Sequence, residues 1–177
     1  MTEPDLARPR ADSAQGLRLR TLVIGDIPAI TALNNAATPA VPVMTEAELT
    51  ALLEASDFGF ATVDEKELLG FVMGFGPGSD YASVNYRYFE ERGVDHLYID
   101  RIVVTEAARG MRVGQSLYNR VFTLAIAESR SEVTCEVNIE PPNPGSLAFH
   151  ARLGFSEVGR QSTGYGTTVA LLARPIS

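Results

Sequence analysis

The chain has 177 residues and a formal charge of −7. That length suits one domain, and the acidity argues against general affinity for nucleic acid or an anionic membrane surface. The single cysteine, Cys135, excludes an intrachain disulfide, and the two histidines, His96 and His150, join no Cys/His cluster with zinc spacing. No apolar run approaches the ~20 residues of a membrane span, so a cytoplasmic enzyme or binding domain is the expectation.

Residues 1–16, MTEPDLARPRADSAQG, are rich in Pro, Ala and charge and lack an apolar signal core. They are expected to form a flexible tail ahead of one domain over 17–177. GLRLRTL alternates apolar and polar residues, which predicts a strand over Leu17 to Leu22. A helix follows, capped by Asp26, with Pro28 in its first turn and Ile27, Ile30 and Leu33 on one face. Thr45-Glu46-Ala47-Glu48 is a capping box that opens a second helix with Leu49, Leu52 and Leu53 inward. GFATV and LLGFVMGF, either side of Asp64-Glu65-Lys66-Glu67, read as an antiparallel hairpin.

Gly76 to Asp95 has no clear strand period and holds Tyr81, Tyr86, Tyr88 and Phe89. A connection this long is either a binding loop or a surface excursion with a short helix whose aromatics pack down. With Glu90, Glu91 and Asp95 it is a candidate mouth for a cationic amine. HLYIDRIVV is a strand, and Met111 to Ser129 a helix with Val113, Leu117, Val121, Leu124 and Ala125 on one face. EVTCEVNI is a strand with Val133, Cys135, Val137 and Ile139 on one side and Thr134, Glu136 and Asn138 on the other. Strand, helix, strand implies a crossover and parallel pairing. A short helix from about Pro144 to Leu153 and two strands, FSEVGRQ and TTVALLAR, complete the order. The fold class is α/β with a mixed, mostly antiparallel sheet and helices on both faces.

The stretch VVTEAARGMRVGQSLYNRV runs from a strand through a glycine-containing turn into a helix. Such a helix start offers free backbone N–H groups and a positive dipole end, which suit phosphate. Plain strand-to-helix geometry explains the glycines equally well. A Walker loop is excluded because Gly114 is followed by Gln115 and Ser116 rather than Lys-Ser/Thr. The run Gly74, Gly76, Gly78 opens no helix and contains Pro77, which has no N–H to give.

Arg109-Gly110-Met111-Arg112-Val113-Gly114 resembles the Gln/Arg-x-x-Gly-x-Gly/Ala loop of the GNAT superfamily, the acetyl-CoA-dependent N-acetyltransferases. It departs at Arg112, where glycine is expected. NPGSLAFHARLGF resembles a second element of that family, Asn-x-x-Ala/Ser-x-x-x-Tyr-x-x-x-Gly-Phe, with His150 in place of the tyrosine. The two motifs occur in the family's order, and the order of elements matches its fold over about Leu17 to Arg174.

The resemblance implies that acetyl-CoA is co-substrate, with no metal, and that backbone groups of Gly110, Met111, Arg112, Val113, Gly114 and Gln115 wrap its pyrophosphate. Arg109 and Arg112 add positive charge there. The backbone N–H of Arg112 survives the substitution, so the cradle persists if its φ is negative. Main-chain groups of Ile102, Val103 and Val104 would pair with the pantetheine arm like an added strand, Val104 also giving the oxyanion donor. Asn143, a good helix cap, would contact the pantetheine amide.

Amine acetylation needs a base, because a lysine-type amine titrates near ~10.4. Glu136 is the first candidate, unless it pairs with an arginine such as Arg101. Asp100 is the rival; it is read as sharing a face with Tyr98, Ile102 and Val104, unless a salt bridge to Arg101, Arg109 or Arg152 occupies it. Glu140, before Pro141 and Pro142, lies near the same mouth. His150 can serve as acid for the leaving thiolate, or is a packed helix histidine. Cys135 reads as packing. The implied activity is acetyl transfer to a primary amine of a small molecule, peptide or protein. A non-catalytic acyl-CoA-binding or sensor domain is the alternative, and pairing of C-terminal strands in a homodimer is plausible for this family.

Overall fold

The computed structural model describes residues 16–65, 67–164 and 166–176. The expected flexible tail lies, apart from Gly16, outside the described residues. The strands are β1 (Leu17–Thr21), β2 (Phe58–Asp64), β3 (Glu67–Phe75), β4 (His96–Val104), β5 (Glu132–Glu140), β6 (Ser156–Thr163) and β7 (Thr167–Pro175). The α-helices are α1 (Ile27–Ala36), α2 (Glu46–Ala55), α3 (Val84–Glu91), α4 (Val113–Ala127) and α5 (Pro144–Arg152).

The strands form one seven-stranded sheet in the order β1-β2-β3-β4-β5-β7-β6. Neighbours are antiparallel except β4 and β5, which run parallel across the α4 crossover, as the strand-helix-strand pattern predicts. Helices α1, α2 and α3 cover one face, where Ile27, Ile30, Leu49, Leu52, Tyr86 and Phe89 pack on Phe71, Met73 and Tyr98. Helices α4 and α5 cover the other, where Leu117, Val121 and Ala125 pack on Val72, Ile99 and Val133. Because both faces are covered, β2 and β3 are buried almost end to end rather than alternating.

Helix α2 opens at the expected capping box: the Thr45 hydroxyl accepts from the Glu48 N–H at 3.2 Å, and the Glu48 carboxylate accepts from the Thr45 N–H at 2.8 Å. Asp26, by contrast, does not cap α1. A 3-10 turn over Ile24–Asp26 runs straight into the helix and leaves Asp26 with helical dihedrals. Its carboxylate instead takes two 2.7 Å bonds from the Arg20 guanidinium.

The feature that shapes the centre of the sheet is a bulge in β4. Met73 pairs with Arg101 and Gly74 with Ile99, so Asp100 is the unpaired extra residue. The bulge breaks the alternation assumed from the sequence. Ile102 and Val104 pack with the α4 layer and Val103 with the α3 layer. Asp100 therefore does not share a face with Ile102 and Val104; it faces the α3 side, where Tyr81 reaches it. Beside the bulge, a Cβ on Gly74 would lie 2.0 Å from the Tyr98 carbonyl oxygen, so only glycine fits.

Candidate active site

Parallel pairing between β4 and β5 covers only His96–Tyr98 against Glu132–Thr134. Past that point the strands splay, and a cleft of about 720 Å³ occupies the gap. It is lined from both sides of the sheet. Glu136, Asp100, Arg101, Tyr81 and Asn85 line it on the α3 side; Tyr118, Ser146, His150 and Asn143 line it on the α4 and α5 side.

Thr105 donates to the Leu69 carbonyl at 2.8 Å, and Phe71 lies opposite Val103. Alternation along an antiparallel pair then directs the main-chain groups of Val103 to β3 and those of Ile102 and Val104 into the splay. Of the expected strand-like partners, Ile102 and Val104 thus direct their groups to the open edge of β4, where Ile102 lines the cleft, while Val103 is spent within the sheet.

The turn before α4 keeps the shape a glycine-rich loop would have. Gly110 has φ +83° and Arg112 has φ +58°. The negative φ set as a condition at Arg112 is not met: the arginine adopts the left-handed conformation that glycine takes freely. The ladder of α4 begins with Ser116 donating to the Arg112 carbonyl at 2.9 Å, so the N–H groups of Val113, Gly114 and Gln115 lie ahead of its first rung. The N–H groups of Arg109 and Met111 are engaged by the Glu106 and Ala108 carbonyls. The Arg109 side chain is exposed beside Glu106, and those of Met111 and Arg112 also face solvent. A Cβ on Gly114 would come 3.2 Å from the Phe149 ring.

On the α3 side, the Glu136 carboxylate accepts from the Tyr98 hydroxyl at 3.0 and 2.8 Å. It does not pair with Arg101. Burial, reinforced by the nearby charge of Asp100, pushes its pKa up to about 8; the residue is half-buried only because it opens on the cleft. Asp100 accepts from the Arg101 Nε at 2.8 Å and from the Tyr81 hydroxyl, so the ion pair weighed from the sequence is formed. Arg101 also donates to Asn34 Oδ1 at 2.9 Å, and Asn34 and Asn35 bond the main chain of Pro42 and Met44. This pins the segment 38–42 that walls the cleft. Glu140 bonds Thr168 at 2.9 Å and is not among the lining residues.

On the other side, His150 is buried. Its Nδ1 lies 2.7 Å from the Ser146 carbonyl, an acceptor only, so Nδ1 carries the proton. Nε2 therefore accepts from the Tyr118 hydroxyl at 2.6 Å. Burial lowers the His150 pKa and raises that of Tyr118, which keeps both neutral. Asn143 caps α5, accepting from the Ser146 N–H at 3.3 Å. Burial also pushes the Cys135 thiol far up, in keeping with packing.

The aromatic segment divides. Tyr86 and Phe89 are buried against Tyr98, and Tyr88 bonds the Val158 carbonyl at 2.8 Å. Only Tyr81 and residues 82–85 line the cleft. Glu90 accepts from the Gly78 N–H and Asp95 pairs with Arg130, and with Glu91 they lie outside its lining. Sequence reasoning missed Tyr118, Tyr98 and Asn85. Tyr118 sits at helical spacing among core residues, and no local pattern separates it from them.

The chain belongs to the GNAT acetyltransferase family, whose model matches residues 28–155, and it is accordingly an acyltransferase. No curated protein matches the sequence. Among solved structures, it is similar to the ribosomal-protein-S18-alanine N-acetyltransferase of Escherichia coli, with 16% identity and a TM-score of 0.69 over 91% of this chain and 94% of that one. Ard1 from Thermoplasma volcanium aligns at 18% identity and TM-score 0.73, over 92% and 99%. A phosphinothricin acetyltransferase from Sinorhizobium meliloti, solved in complex with AcCoA, aligns at 18% and 0.70, over 92% and 90%. These likenesses establish the GNAT fold. Acetyl-CoA fits the site as co-substrate: a positive helix start with leading N–H groups lies at one end, and the open edge of β4 leads from it into the cleft.

Proposed function

We propose that the protein is an N-acetyltransferase that moves the acetyl group of acetyl-CoA directly to a primary amine, with Glu136 as general base. The observation that carries this reading is the raised carboxyl of Glu136, facing the same cleft as Ile102, whose main-chain groups point into the splay. The pyrophosphate rests on the N–H groups at the start of α4, and pantetheine runs along Ile102 and Val104 past Asn143. The amine enters from the α3 side. Its nitrogen attacks the thioester carbon, the C=O electron pair moves to oxygen beside the Val104 N–H, and the amine proton passes to Glu136. Collapse re-forms C=O and breaks C–S. Thiols titrate near ~8.5, so the sulfur can leave as thiolate under a hydrogen bond and take a proton afterwards. Tyr118 lines the cleft, and its hydroxyl gives its one proton to His150 Nε2; on turning from His150 it can supply that bond, so that His150 acts through Tyr118 rather than as the acid itself. Asp100, tied to Arg101, shapes the field around Glu136.

The acceptor is a small amine or an amine of a peptide or protein, and the cytoplasm is the proposed place of action. Edge strand β6 is the proposed surface for a homodimer, which light scattering tests. The first test of function is calorimetric titration with acetyl-CoA beside a Gly114→Trp variant, whose indole would project near Phe149 at the cradle. Binding to the parent and not the variant is expected, and equal binding to both would remove the cradle. A screen of amines for thiol release then follows. Tight acetyl-CoA binding with no release by any amine would replace the transferase by an acyl-CoA sensor.

A further inference from the structure

Among the described residues, the aspartate, glutamate, lysine and arginine side chains that line the cleft are those of Asp100, Arg101 and Glu136. Two of them cancel. Asp100 and Arg101 form an ion pair at 2.8 Å with both side chains more than nine-tenths buried, and Nη1 of Arg101 is spent on Asn34. Glu136 accepts from the Tyr98 hydroxyl and enters no ion pair among the described residues. The acceptor side therefore holds one carboxylate without an ionic partner, at the splay between β4 and β5. The walls beyond it are uncharged. Segments 38–42 and 81–85 line the cleft with Thr163, Thr167 and Val169 of the β6–β7 hairpin, and none of these residues carries a charge. The walls are also held in place. Asn138 Nδ2 donates to the Pro39 carbonyl at 3.1 Å, and Asn34 Nδ2 to that of Pro42 at 2.9 Å. Gln161 Nε2 donates to Asn85 Oδ1 at 3.2 Å, which ties the start of α3 to β6. The acids that follow these walls in sequence are engaged elsewhere, Glu90 by the Gly78 N–H and Glu140 by the Thr168 hydroxyl.

We propose that the acceptor is a monoamine with an uncharged body: its amino group meets Glu136, and the rest of the molecule lies against the uncharged walls formed by segments 38–42 and 81–85. The inference rests on the reading of Glu136 as base and names the substrate class of that site. One unpaired carboxylate matches one ammonium. A second ammonium would leave water for a wall that has no carboxylate. A carboxylate on the acceptor would find Arg101 already held by Asp100. Burying either charge without a partner is costly, so polyamines, amino acids and basic peptides are disfavoured. The cleft, at about 720 Å³ and shared with the thioester arm, has the size of a small-molecule site.

The test compares three five-carbon amines that differ only at the far end: pentylamine, 1,5-diaminopentane and 5-aminopentanoate. Thiol release from acetyl-CoA should show kcat/KM higher for pentylamine than for either charged analogue by about tenfold or more, with one KM for acetyl-CoA throughout. Val84, a wall residue that is 52% exposed, can change without disturbing the core. Val84→Asp should narrow the gap for the diamine and widen it for 5-aminopentanoate. Equal or reversed rates in the parent, or ratios unmoved in Val84→Asp, would overturn the proposal while leaving the transferase standing. Thiol release with none of these or any other amine would sink the transferase instead. Ligand-observed NMR of the matching N-acetyl products beside CoA then decides the wall chemistry by itself: N-pentylacetamide should bind and its charged counterparts should not, and any other order refutes the uncharged compartment.

Discussion

Burial of the Glu136 carboxylate acts on stability, apart from its proposed part in catalysis. A free glutamate titrates near ~4.3, and the folded chain holds this one at about 8. For an acid whose folded pKa is raised, the folded state is favoured below the unfolded value, and that advantage is lost as pH climbs to the folded one. Glu136→Gln, which cannot ionise, should therefore raise Tm at pH above about 8 and leave it unchanged at pH below ~4. An equal gain at both ends would point to packing instead. Arg112 carries the opposite lesson. Its left-handed backbone costs a non-glycine residue about 1 kcal/mol, so Arg112→Gly should be neutral to stabilising by up to about that amount in a urea melt. A clear loss of stability would mean that the arginine side chain holds the loop.

The elements that build the cleft were legible to different degrees. The capping box of α2, the parallel β4–α4–β5 unit and the α4 stripe follow from local spacing, and the structure has them. The bulge at Asp100 does not show in HLYIDRIVV, because a bulge is set by the partner strand and looks locally like continued alternation. The clue lay in Gly74 on β3, which reads as one of several glycines until the Tyr98 carbonyl is seen against it. Gly74→Ala puts a methyl into that carbonyl, so β3 and β4 must separate. Chemical denaturation should show a loss of about 2 kcal/mol or more, larger than for a routine surface change. Amine-dependent turnover should fall as Asp100 and Glu136 shift. Retained stability and turnover would mean the sheet absorbs the methyl elsewhere.

At the scale of the whole molecule, the sequence resemblance located both halves of the candidate site, the turn before α4 and the start of α5, because each is a short local motif. The face of β5 on which Glu136 lies was legible from strand parity, and the family resemblance added its proposed role. The hydrogen-bond partner of Glu136 was not legible: Tyr98 lies on another strand, and only the folded sheet brings the two together. The same holds for Tyr118, whose partnership with His150 spans α4 and α5. The family fixes an acyltransferase with a GNAT fold, and base-assisted attack on a thioester is the mechanism proposed for its cleft.

That central claim is tested most directly by the pH dependence of acetyl-CoA thiol release with an accepted amine, in parent and Glu136→Gln. The parent's kcat/KM should rise with pH through about 8, and the variant should be slower by about 100-fold at neutral pH and lack that limb. An identical limb in the variant would show that another group takes the amine proton and would contradict the account.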